Sequence, residues 1–267
     1  MKKSIDKKKK IAVNKQRRVN AAMLPAGVIF ISPVLVTLAL SLFYEGRFPT
    51  VGQYGELLIT DYTFLRYFWN AMLYALGITV VCVILSFPLG FLFAKVRFPG
   101  RDALFFIYII AMMLPFQATL LPNYIQLRDF GLLDTPMALV LPLVFSPFAV
   151  FLFRQFIKSV PSELLDYTTL ETSSPFQILR YAVFPQVKPA AAALAVMVFC
   201  ESWNMVEPAL IFASKNPEIH PLSVKLGELP APVSFSASSV YMFPVLILFL
   251  LFKETLSDSM GRYRWEK

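Results

Sequence analysis

Six long stretches of the chain are almost continuously apolar: 21–43, 69–93, 104–121, 137–153, 190–213 and 233–252. Each approaches the roughly 20 residues an α-helix needs to cross a bilayer. The fourth, MALVLPLVFSPFAVFLF, is the shortest and holds Pro142 and Pro147, while the sixth opens on the polar SFSASS. Proline inside such runs is tolerated because neighbouring helices re-satisfy the freed backbone groups. The pattern predicts an all-α polytopic membrane protein with six transmembrane helices. Its parts are a leader at 1–20, a membrane domain at 21–252 with a long loop at 154–189, and a tail at 253–267.

Composition agrees with the pattern. Of 267 residues, 57% are hydrophobic and 16% charged, against about 25% charged in soluble domains. The net charge of +8 resides in the leader, where nine Lys/Arg meet one acid, Asp6. The remainder sums to zero, which excludes a basic nucleic-acid-binding face. No basic residue falls inside the six runs. Lys/Arg counts over the leader, the 94–103 loop, the 154–189 loop and the tail total 20, against 5 in the alternate loops. Basic residues favour the cytoplasmic side, so both termini are expected there, which six crossings allow. A basic stretch before an apolar run also describes a signal peptide. The first run is too long for that, and SLFYEGRF lacks a small-residue cleavage pattern, so it is read as a retained helix. Cys82 and Cys200 fall within spans and read as small apolar fillers.

The chemistry-bearing motifs are missing. No G-x-x-x-x-G-K-[ST] phosphate loop, H-E-x-x-H, G-x-S-x-G or Cys/His cluster occurs, so neither nucleotide binding by that route nor catalysis is expected. The single histidine, His220, sits between prolines in a predicted outer loop and reads as solvated surface. Transport or signalling remains.

The 154–189 loop is far longer than a connector requires, and it reads as helix–break–helix. Pro161 suits a first helical position, and Glu163 and Asp166 put negative charge near the positive end of the helix dipole. Ser174-Pro175-Phe176-Gln177 restarts the pattern as a capping box from Ser174 to Gln177. Pro185 and Pro189 are expected to close the second helix before the fifth span. An amphipathic pair on lipid headgroups is the bland alternative, but four basic and three acidic residues suit a protein partner better than an anionic leaflet.

At this loop the chain resembles the inner-membrane permeases of binding-protein-dependent ABC importers, carbohydrate (maltose-type) branch. Their E-A-A-x-x-x-G-x(9)-I-x-L-P motif falls on DYTTLETSSPFQILRYAVFP. Asp166 stands for the glutamate, Tyr167 and Thr168 for the alanines, Thr172 for the glycine, Ala182 for the isoleucine and Phe184 for the leucine. Glu171 and Pro185 match. RYFWNAMLYALG, FAKVRFPGRDALFFIYIIAMMLPFQATLLPNYIQLRDFGLLDT and ESWNMVEPALIFA extend the likeness from about Tyr67 to Leu226; the tail SDSMGRYRWEK departs from the glycine-rich ending common in the branch. The resemblance implies that Glu163, Asp166, Tyr167, Leu170, Glu171, Thr172, Phe176 and Pro185 meet a partner ATPase. With Thr172 in the glycine's place, the break is expected at Ser173-Ser174-Pro175, leaving Thr172 helical or extended.

The fifth run also contains FCESWNMVEPALIF. A charge at bilayer depth costs about 2.5–3.5 kcal/mol on insertion scales and marks a functional candidate. On a continuous helix, steps of three place Glu201, Asn204 and Glu207 near one face, with Trp203 bordering it. Carboxylates and an amide suit sugar hydroxyls, and an indole can cover a sugar ring. In the resembled branch this span lines the translocation path. Alternatively, the carboxylates sit near the outer end and serve packing between subunits, with Pro208 bending the chain there.

The resemblance thus implies a non-catalytic permease subunit forming half of a carbohydrate path. It implies a second, homologous permease, two ATPases that bind the ATP and Mg, an extracytoplasmic solute-binding protein meeting the 214–232 loop, and surrounding membrane lipid. An ATP-independent carrier or channel is the runner-up, with Pro115, Pro122, Pro142 and Pro147 as its weak signature. A membrane-embedded scaffold is the third reading.

Overall fold

The computed structural model describes residues 23, 25, 27–43, 50–60, 62–230 and 233–262. The leader therefore lies outside the described residues, as does the end of the tail. Among the described residues no strand forms. The helices are α1 (Gly27–Leu40), α2 (Tyr62–Lys95), α3 (Arg101–Met112), α4 (Phe116–Asp129), α5 (Pro136–Val144), α6 (Pro147–Lys158), α7 (Ser162–Glu171), α8 (Pro175–Trp203), α9 (Glu207–Phe212) and α10 (Val233–Arg262). Shorter helical turns fill the connections.

Four helical stretches are long and apolar enough to cross a membrane: α2, α5–α6 together, α8 and Val233–Lys253 of α10. A fifth is reached if α3 and α4, bent by 100° at their junction, count as one broken span. The first expected span, 21–43, corresponds to α1, which is apolar but shorter; the start of its run falls largely outside the described residues.

The bounds differ from expectation for local reasons. α2 begins at Tyr62 and continues past Pro88 for 34 residues. The third run is two helices, because the extended Pro115 (φ −65°, ψ 146°) pushes the residue before it out of helical conformation. The fourth breaks at Phe145 and restarts where Ser146 Oγ accepts from Ala149 N–H at 3.3 Å, with Pro147 in the first turn. Pro185 and Pro189 do not close a helix. α8 runs through both into the fifth span, and it widens to π-helical turns over Ile178–Val183 just before Pro185, which lacks an amide hydrogen to donate. Lys253, assigned to the tail, continues α10.

The described residues divide into two compact units, one within Met1–Thr60 and Leu229–Val240, the other within Asp61–Glu228 and Tyr241–Lys267. In the first, the polar opening of the sixth run is a buried hydrogen-bonded knot. The Ser236 hydroxyl reaches Gln53 Oε1 at 2.7 Å and the Ser41 carbonyl at 3.2 Å, while the hydroxyls of Ser41 and Tyr54 lie 2.6 Å apart.

In the second unit α2 is the hub, packed against α5, α6 and α8. Ile78, Leu139, Phe153, Ile157 and Leu194 form its fully buried centre. Cys82 is buried there as the expected apolar filler. Gly90 lets α2 and α6 approach closely, since a Cβ built on it would lie 2.5 Å from Phe153 Cβ. Gly100 (φ 78°) occupies the left-handed region before α3, a conformation glycine adopts without strain.

Candidate functional site

The structure holds two candidate features, one at the loop singled out in the sequence and one that shares only Glu201 with the expected path residues. The first is an elbow: α7, an extended break at Thr172–Ser174, then α8. The break falls one residue earlier than the expected Ser173-Ser174-Pro175, with Pro175 already helical, and its chemistry explains how threonine replaces a glycine. Thr172 is extended, with φ −146° and ψ 141°, so nothing there demands a positive φ. Its hydroxyl donates to Gln177 Oε1 and accepts from Ser174 N–H at 3.2 Å. Those bonds displace the expected capping box: Gln177 serves Thr172, and Ser174 makes no side-chain cap. Pro161 precedes the helix rather than opening it, α7 starting at Ser162.

One side of the elbow is rooted and the other is bare. Leu164, Leu165 and Ile178 pack against the core of the second unit. Tyr167, Leu170 and Phe176 are 71%, 85% and 68% exposed. Glu163, Asp166 and Glu171 are exposed alongside them, as is Pro185 within α8. The base is stiff: Lys95 Nζ donates to the Val160 carbonyl at 2.6 Å. Arg154, expected in the loop, instead lies buried within α6. Its Nε donates to the Phe93 carbonyl at 3.1 Å, its guanidinium carbon sits 3.6 Å from the centre of the Phe105 ring, and Asp102 lies 3.5 Å away.

The second feature is a groove of about 1140 Å³ between α3, α4, the α5–α6 break and α8. Of the four path residues expected from sequence, Glu201 alone lines it. The single-helix stripe does not form, because α8 ends at Trp203. Asn204 adopts φ −89° and ψ 16°, and its Nδ2 donates to the Cys200 carbonyl at 2.7 Å. Glu207 opens α9 and accepts from Gln117 Nε2 at 3.2 Å. Trp203 is fully buried. Its ring stacks on Phe199 at 5.7 Å and Tyr241 at 5.0 Å, and its N–H donates to the Tyr241 carbonyl at 3.2 Å. Both faces are covered, so it offers none to a sugar.

The groove brings in residues that the sequence reading passed over. Thr119, Asn123 and Gln126 line it from α4, with Ser146 and Ser202 opposite. Their spacing of four and three was the available signal, a polar stripe along one helical face. The stripe is hidden in the sequence because the apolar run ends at 121, before Asn123 and Gln126. His220 is likewise not solvated: it is buried, with Nε2 3.0 Å from the Ala213 carbonyl. The adjoining turn is tied by Asp134, whose carboxylate accepts from Lys215 N–H at 2.8 Å.

Known proteins carry the same architecture. The chain is 29% identical over 230 residues to the arabinooligosaccharides transport system permease protein of Bacillus subtilis, covering 84% of this chain and 81% of that one. It is 38% identical over 139 residues to the sn-glycerol-3-phosphate transport system permease protein of Brucella abortus, a match spanning 52% of this chain and about half (49%) of that relative. In fold it resembles a solved bacterial ABC transporter involved in the import of the acidic polysaccharide alginate, with TM-score 0.78, 21% identity, and 89% and 95% of the two chains covered. The family described as the binding-protein-dependent transport system inner membrane component matches residues 86–257. More than half the chain lies in that match, and the protein belongs to this family of membrane transport components.

Proposed function

We propose that the chain is the permease subunit of an ABC importer, forming half of the translocation path for a carbohydrate. The observation that carries this reading is the elbow. Tyr167, Leu170 and Phe176 are each exposed while Leu164, Leu165 and Ile178 of the same helices are rooted in the core. Such a surface suits a protein groove, and the acidic Glu163, Asp166 and Glu171 around it suit a partner with basic rims. The partner is a pair of cytoplasmic ATPases that bind ATP and Mg, and this chain itself performs no catalysis. When the ATPases close, the elbow moves as a rigid body and tilts the spans that continue from it. α8 runs unbroken from Pro175 to Trp203, so a push at Phe176 reaches Glu201 along one helix.

A second, homologous permease completes the path, lipid surrounds the pair, and a solute-binding protein delivers cargo at the 214–232 loop. The charge bias of the loops supports a cytoplasmic position for both termini and the elbow. No feature favours an ATP-independent carrier: the proline breaks at Pro115 and Pro147 carry no ion-pair relay among the described residues.

Cysteines placed at Leu170 or Phe176 are expected to cross-link the ATPase in inverted vesicles, and vanadate is expected to arrest uptake. Vanadate-insensitive uptake with no captured ATPase would overturn the reading.

A further inference from the structure

We infer that the groove selects an uncharged polyhydroxyl cargo, read by Asn123 and Gln126 of α4 opposite Glu201 of α8. The inference rests on the permease reading above and narrows its carbohydrate to the uncharged class. Three observations support it.

The first is unspent hydrogen-bonding capacity. Among the described residues, the Asn123 and Gln126 amides and the Glu201 carboxylate have no hydrogen-bond or ion-pair partner, yet they line one groove. Gln126 and Glu201 are exposed and Asn123 is half-buried, so their polar groups are open to a ligand or to water. An amide offers donors and acceptors, and a carboxylate offers acceptors. Sugar hydroxyls, each both donor and acceptor, match that set. The 100° bend between α3 and α4 turns the polar face of α4 onto the groove.

The second is charge. The lining holds one carboxylate and no Lys or Arg. A phosphate or uronate would meet like charge on this half of the path, with no cation from this chain to compensate. The basic residue nearest along α4, Arg128, is outside the lining and pairs with Asp129 at 2.9 Å.

The third is shape and apolar surface. Phe145 and Phe148 line the wall and are 62% and 36% exposed, giving aromatic faces for the C–H side of a sugar ring. The volume of about 1140 Å³ exceeds the usual range for small-molecule sites, about 300–1,000 Å³, and leaves room for more than one ring. The sequence relatives are named for arabinooligosaccharides in one case and for sn-glycerol-3-phosphate in another; the lining of this groove suits the uncharged class.

The test uses the complete importer, with its second permease, ATPases and binding protein, reconstituted in proteoliposomes. The probes are a panel of neutral pentose and hexose trisaccharides, sn-glycerol-3-phosphate and a guluronate trisaccharide. The expected result is ATP-dependent uptake of at least one neutral trisaccharide at ten or more times the rate of either anion. The double variant Asn123→Ala, Gln126→Ala should lower that uptake at least tenfold while the ATPases still co-purify; Gln126→Leu replaces it if assembly fails. Uptake of an anion at a comparable rate, or unimpaired transport by the variant, overturns the inference and leaves the permease reading standing. If no probe is taken up in an ATP-dependent manner, the permease reading falls and takes this inference with it.

Discussion

Single residues in this chain do different work from what their type suggests, and burial decides which. Trp203 looks like a sugar platform beside Glu201, but its ring is sandwiched by Phe199 and Tyr241 and met edge-on by Phe68 at 5.7 Å. The Tyr241 hydroxyl returns a 2.6 Å hydrogen bond to the Trp203 carbonyl, locking the end of α8. Trp203→Ala should therefore cost about 3–5 kcal/mol of stability and lower the melting temperature in detergent, while Trp203→Phe retains most of it. Loss of uptake at unchanged melting temperature would restore a path role. Glu201, two residues away, is exposed and lines the groove. The two could not be told apart in sequence, because both sit in the same apolar run. His220 shows the same limit: a lone histidine among prolines reads as surface until Ala213 is seen to cover it.

Elements here are set by their breaks as much as by their apolar runs. The runs themselves were legible, since length and hydropathy need no tertiary partner, and so was the break before Pro175. The bend at Pro115 was not, because a proline within an apolar run can be absorbed, as Pro88 is in α2, or can split it. Which happens depends on what packs alongside. α2 and α6 meet closely at Gly90, where a methyl group would fall 2.5 Å from Phe153 Cβ and 3.1 Å from the Arg154 amide nitrogen. Gly90→Ala must push these helices apart and should cost about 1–3 kcal/mol, the usual penalty for overpacking. A thermal-shift assay on the detergent-solubilised protein would check it. Gly77→Ala is the control, since a Cβ there meets nothing within 4 Å.

At the scale of the whole molecule, the second unit gathers three helices around one buried cation at the foot of the elbow. Arg154 joins the end of α2 through the Phe93 carbonyl and α3 through the Phe105 ring. Asp102 is 72% exposed, so its ion pair adds little; the carbonyl bond and the ring contact carry the junction. Arg154→Met should lose the charged hydrogen bond, about 1.5–3 kcal/mol. It should also lower ATP-coupled uptake, because α6 leads directly into α7. Unchanged stability and uptake would show that the junction transmits nothing.

Apolar run length, loop charge and the helix–break–helix pattern at 154–189 are properties of the chain read locally. They alone determined that the chain is a polytopic α-helical membrane protein, its expected sidedness and the position of its cytoplasmic-loop elbow. Tertiary structure decided what local reading could not reach. It turned Trp203 inward, carried α8 straight through Pro185 and Pro189, and bent α4 away from α3 so that Thr119, Asn123 and Gln126 line one groove with Glu201. The physical reason is that hydrophobicity selects which segments leave water, whereas the face a side chain shows depends on neighbours distant in sequence.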